Sequence, residues 1–219
     1  MSEIRVTSVV GENGGDRVGL TTGLTVGPLT GTTGIGATIT HQGHAQFAGV
    51  CTATSFFGSG ANLTGISAGI TMMDQWRIAN DNTKGNDEVI DYNWERSDTF
   101  FAQIGTGMSE SSGIFTFPQT GIYLILAQTA QYATNHYYAG FKVQVSTNSG
   151  SDYSDFTFAY GNHLGGGCYE NVHVHGILDV TNVSTFRLRM YTATAGSTQY
   201  SGSTSAFRTG MTFIRLGDT

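Results

Sequence analysis

Residues 18–73 contain no Asp, Glu, Lys or Arg, and they are rich in Gly and Thr with scattered apolar residues. That one stretch restricts the fold more than any other feature of the 219-residue chain. A free linker of this length would be more polar and simpler in composition. A compact monomeric domain would need more large apolar side chains to offset its backbone entropy, and frequent glycines raise that cost further. The segment is therefore expected to order against something else, either copies of itself or a neighbouring protein. Short alternating runs inside it read as strands at Leu24–Val26, 37–40 and 45–53, with Gly marking the turns. Three copies winding about one axis would pair these strands and remove their open edges.

From residue 74 the character changes: aromatic and charged residues return. Alternating or continuous apolar runs predict strands at 87–92, 99–104, 113–117, 122–132, 138–146, 156–160, 169–180, 185–191 and 207–216. No amphipathic helix of three turns is visible. Strands at such spacings predict an all-β chain, a sandwich or jelly roll preceded by an extended Gly/Thr-rich arm and shaft. The composition agrees, since 13 Phe and 10 Tyr argue against disorder and only 12% charged residues argue against a helical protein.

Charge and cysteine usage exclude several function classes. A net charge of −6 with ten scattered basic residues does not suit a nucleic-acid partner, which needs clustered Lys and Arg. No apolar run reaches the roughly 18 residues of a membrane-spanning helix, so no membrane insertion is expected. The start, MSEIRVTSVV, lacks the features of a signal peptide. Cys51 and Cys168 are accordingly expected to be reduced thiols, in a protein made in a cytoplasm.

Two stretches carry resemblances. SGIFTFPQTGIYLILAQ, residues 112–128, resembles the signature of the complement-type globular head and tumour-necrosis-factor-like jelly roll. The matching residues are Gly113, Phe115, Pro118, Gly121 and Tyr123, and the chain end is similar to that family's closing strand, with Phe207 and Gly210 before an apolar run. The resemblance covers residues 74–219 and implies a ten-strand jelly roll that assembles as a homotrimer around aromatic and apolar residues. No collagen-like stalk and no recognisable calcium site accompany it. GVCTATSFFGSGANLTGI, residues 49–66, resembles a short repeat of fibre-type virion proteins of cyanophages, and the first residues resemble the anchoring stretch of such proteins. That implies an arm at 1–30, with Ile4, Val6, Val9 and Val10 anchoring it to the major capsid protein or another virion protein. A shaft or neck at 31–73 and a jelly-roll head at 74–219 would follow. The location implied is the virion, assembled in the host cytoplasm. The role implied is non-enzymatic, a capsid decoration or head fibre. The alternative is a tail-fibre or tip protein that binds host-surface carbohydrate.

Candidate chemistry is sparse, and neither a catalytic residue nor a cofactor is expected. His173 and His175 stand at i and i+2, so on a strand they share one face and would suit a metal, although a polar strand face is the commoner use of such a pair. Asn148, Asp152 and Asp155 offer oxygen ligands without the order of an EF-hand loop. Glu88, Asp91, Glu95 and Asp98 are the carboxylates from which a glycosidase pair would be drawn. Gly58-Ser59-Gly60 follows no hydrophobic strand and so is no nucleophile elbow. Gly165-Gly166-Gly167 leads into no helix that would cradle phosphate. Trp76, Trp94, Tyr123, Tyr132, Tyr137 and Tyr138 are candidates for a subunit interface, or for stacking on sugar.

Overall fold

The computed structural model describes residues 24–26, 37–39, 42, 44–47, 50–52, 54–55, 69–134, 137–162 and 167–219. The chain divides into two compact units, Met1–Leu63 and Thr64–Thr219. All the regular structure among the described residues is β.

In the first unit, β1 (Leu24–Val26), β2 (Ala37–Ile39) and β3 (Ala45–Phe47) form an antiparallel three-stranded meander. The strands that the sequence assigns to pairing between copies thus pair with one another. Antiparallel neighbours need no crossover connection, so one chain can make this pairing by itself. Strand β3 is exposed along its length, and Phe47 is about half exposed. Ile4, Val6, Val9 and Val10 lie outside the described residues.

The second unit is a two-sheet sandwich. Its strands are β4 (Met72–Ile78), β5 (Asn82–Lys84), β6 (Trp94–Arg96), β7 (Ser109–Ser111), β8 (Ile114–Thr116), β9 (Gly121–Ala133), β10 (Tyr138–Ser146), β11 (Ser154–Asn162), β12 (Cys168–Val180), β13 (Arg187–Thr192), β14 (Thr198–Tyr200) and β15 (Gly210–Gly217). The smaller sheet runs β11-β10-β13-β8-β7, and the larger runs β5-β14-β9-β15-β4-β6 with β12 along the opposite side of β9. Every pairing is antiparallel.

Strand β9 organises the larger sheet. Gly121, Tyr123, Ile125, Ala127, Thr129, Gln131 and Ala133 all point inward and are buried, while their neighbours face outward. The inward polar pair is satisfied locally: Gln131 Nε2 donates to the Ala139 carbonyl at 2.8 Å, and the Thr129 hydroxyl donates to Gln131 Oε1 at 3.3 Å. The core lies between the sheets around Phe115, whose ring meets Trp94 at 5.0 Å, Phe213 at 5.5 Å and Trp76 at 5.7 Å.

Residues 87–92 and 99–104 are not strands. They are loop segments touching the sheets through the single bridges Val89↔Tyr191 and Ile104↔Met73. Asp87 and Phe100 have φ of 56° and 57°, the left-handed region, which breaks an extended run whatever its hydrophobic pattern. The first sandwich strand begins at Met72, so its opening residues come from the end of the charge-free stretch.

Candidate functional site

The outward face of the larger sheet carries a row of apolar side chains that are neighbours only through register. Ile177 on β12 stands opposite Leu124 on β9, Leu124 opposite Ile214 on β15, and Ile214 opposite Met73 on β4. Met73 in turn exchanges both backbone hydrogen bonds with Ile104, at 3.1 and 3.0 Å. With strands about 4.8 Å apart, the five residues form a line on the order of 19 Å long across the sheet. Ile177 is 63% exposed, Leu126 and Ile104 40% each, and Leu216 flanks them at 50%. The inward residues of β9 already fill the core, so nothing inside the sandwich accounts for the apolar outward residues Ile122, Leu124 and Leu126. A strand apolar on both faces is the pattern of a sheet covered on both faces.

Further along β9 and β12 the same face becomes polar and aromatic. His175 stands opposite Leu126, His173 opposite Gln128, Asn171 opposite Ala130 and Tyr169 opposite Tyr132. Both histidines are exposed and line a depression of about 260 Å³ with Leu126, Gln128 and Phe207. Gln128 is fixed there, its amide nitrogen donating to the Phe207 and Arg208 carbonyls at 3.0 Å each. Among the described residues no three His, Cys, Asp or Glu side chains come together as a metal cage. His173 and His175 thus supply at most two ligands from one copy.

Trp76, Trp94 and Tyr123 point toward the interior. The Trp76 indole donates to Asp74 at 2.8 Å, and the Trp94 indole donates to the Ile90 carbonyl at 2.7 Å. Tyr123 is fully buried, its ring edge-on to Phe117 at 4.9 Å and its hydroxyl donating to the Gln119 carbonyl at 2.8 Å. Burial pushes its phenol above the ordinary tyrosine range. Tyr137 and Tyr138 are on the surface, and Tyr138 meets Tyr160 edge-on at 5.4 Å.

The carboxylates are taken up by cations. Glu95 and Asp98 both hold the buried Arg77 at 2.7 Å, while Asp91 lies 2.7 Å and Glu88 3.9 Å from the Lys84 ammonium. Asn148 and Asp152 bond to each other within a turn. Asp155 joins Lys142 and Gln144 on the smaller sheet. Cys51 is exposed, Cys168 is half-buried, and neither is in a disulfide.

Sequence reasoning did not single out Met73, Leu124, Ile177 or Ile214. The signal that was available is the unbroken apolar run of β9, which places large side chains on both of its faces.

The sandwich is similar to the structure of the Eiger TNF from S. frugiperda, with a TM-score of 0.57 and 12% identity over 68% of this chain and 95% of that one. Murine APRIL at pH 8.0 gives a TM-score of 0.49 and 15% identity over 66% of this chain and 98% of that one. No protein-family model matches the chain, and no curated protein matches it. The likeness to Eiger is one of fold alone. With the sheet orders above, it establishes the second unit as a TNF-like jelly roll, the fold implied by the residues from Gly113 to Tyr123.

Proposed function

We propose that this chain is a non-enzymatic structural protein of a bacteriophage particle, a homotrimeric capsid decoration or head fibre with an exposed jelly-roll head. The observation that carries the self-association is the apolar row Ile177–Leu124–Ile214–Met73–Ile104 on the outward face of the larger sheet. Full burial of an exposed side chain of this kind contributes about 1.5–3 kcal/mol, which applies best to Ile177, while the half-buried Met73, Leu124 and Ile214 add less. One sheet face per copy, used against a different surface of the next copy, gives a head-to-tail contact that closes into a ring. Three weak contacts on one base then gain avidity through effective concentration.

The virion setting is supported by the resemblance of residues 49–66 to a fibre-type repeat and by the charge-free composition of residues 18–73. The non-enzymatic reading is supported by carboxylates engaged with Arg77 and Lys84. Light scattering on the full chain tests the assembly: three times the chain mass is expected, and a monomer at all concentrations refutes it. Mass spectrometry of purified particles of the encoding virus tests the setting. The chain is expected to co-purify with them in fixed ratio to the major capsid protein, and its absence removes the virion role.

A further inference from the structure

A second concavity lies on the same face, about 20 Å along the strands from the apolar row by the rise of an extended chain. It has a volume of about 510 Å³, and its lining includes Tyr169, Asn171, Ala130, Asp81 and Arg208. That volume is within the roughly 300–1,000 Å³ range of small-molecule sites.

Its chemistry is specific. Tyr169 and Tyr132 are direct register partners, with ring centroids 4.7 Å apart and planes at 44°. Tyr169 is nevertheless 75% exposed, so one ring is propped by another and presents its open side to solvent. Beside it Asn171 faces Ala130, whose small methyl group leaves space above the sheet. The Asp81 carboxylate is held in place by Gln199 Nε2 and by the Gly202 amide at 2.9 Å. A carboxylate oxygen accepts more than one hydrogen bond, so Asp81 keeps acceptor capacity for a ligand. The Asn171 amide both donates and accepts, and the Arg208 guanidinium donates.

An aromatic ring bordered by planar polar groups matches one ligand class closely. The C–H face of a pyranose is weakly positive and lies against the negative face of an aromatic ring. Its vicinal hydroxyls meet carboxylate, amide and guanidinium in pairs. The charges select further. One arginine stands against the Asp81 carboxylate in the same lining, so no net positive charge favours phosphate or acidic sugars.

We infer that the depression between Tyr169, Asn171, Asp81 and Arg208 is a binding site for a neutral saccharide of one or two hexose rings. It is built from one copy's residues and does not require self-association.

The test is a glycan array probed with the full chain, followed by calorimetric titration with the methyl hexosides and disaccharides that score. Binding to neutral saccharides is expected. Tyr169→Ala should weaken it by about tenfold or more, Tyr169→Phe should retain most of it, and Asp81→Asn should weaken it several-fold. Tyr169 is mostly exposed, so circular dichroism and melting of its variants should match the parent. Light scattering on the same samples reads assembly separately from binding. No binding to any neutral saccharide overturns the inference. So does binding unchanged in Tyr169→Ala, or binding only to anionic glycans that is abolished by salt.

Discussion

Arg96 closes over Asp74 with two hydrogen bonds, Nε to Oδ1 at 2.9 Å and Nη2 to Oδ2 at 3.2 Å, although Asp74 is fully buried and faces the core. The carboxylate also accepts from the Trp76 indole at 2.8 Å, the Met108 amide at 2.8 Å and the Gln75 amide at 2.9 Å. Arg96 returns a bond to the Met108 carbonyl at 2.8 Å. One charge thus ties β4 to the edge strand β6 and to the segment entering β7. Asp74→Ala leaves five N–H donors without their acceptor, and a loss of about 3–5 kcal/mol is expected in urea unfolding. A loss below about 1 kcal/mol would mean that water replaces the carboxylate.

Gly113 shows why the motif resemblance has physical content. Ser112 and Gly113 link β7 to β8 with φ of 52° and 78°, the two positive values of a tight hairpin turn. A Cβ on Gly113 would stand 2.5 Å from the Ile90 carbonyl and 2.7 Å from the Asp91 Cα. Gly113→Ala therefore combines backbone strain with a backbone clash, and a loss of about 2 kcal/mol or more is expected by thermal or urea denaturation. Ser112→Gly, which relieves strain without adding an atom, should be neutral or slightly stabilising.

Assembly through the outward face predicts an effect at Ile177, which is mostly exposed within one copy. Ile177→Glu should leave the unfolding of a single head nearly unchanged, because a side chain in water contributes little to the fold. In the assembly it would bury an unpaired charge. Analytical ultracentrifugation over a concentration series should show dissociation of the variant where the parent remains associated.

Asp155 makes a small contribution to stability that depends on pH. The Gln144 hydrogen bond first, and then the Lys142 ammonium, holds its carboxyl below the usual aspartate range. The folded protein therefore binds this proton more weakly than the unfolded chain does. The stabilisation is present above the unfolded aspartate range and is lost as pH falls through the depressed folded value. Lys142 is raised in the folded state, chiefly by its hydrogen bond to Asp155, so its share is lost only as pH rises through that raised value. Asp155 is over a third exposed, which limits the effect to about 0.5 kcal/mol. Asp155→Asn should flatten the acid limb of a stability–pH profile by that amount, and Lys142→Met should flatten it less.

Strands with clear alternation are legible in the sequence alone. Tyr123, Ile125 and Ala127 recur every second residue and become the buried side of β9, and Phe141 and Val143 do the same in β10, with Val145 half-buried beside them. The three-residue strands β5, β6, β7 and β14 are not legible, because three residues are too few to establish a period. Trp76, Trp94 and Tyr123 are candidates for a surface role on residue type alone. Their indole and hydroxyl groups instead find partners inside the head, which residue type does not reveal.

Periodicity, glycine placement and the motif from Gly113 to Tyr123 determined an all-β jelly roll, since each acts through its immediate neighbours in the chain. Only the tertiary structure decided which outward residues meet. Met73, Ile104, Leu124, Ile177 and Ile214 share no interval, and Tyr132 meets Tyr169 only because β9 and β12 run antiparallel in one register. Register is fixed by packing of the opposite, buried face, because a shift of one residue would turn the core residues of β9 to solvent. The apolar row and the tyrosine-lined depression are therefore set by a core that contains none of their residues.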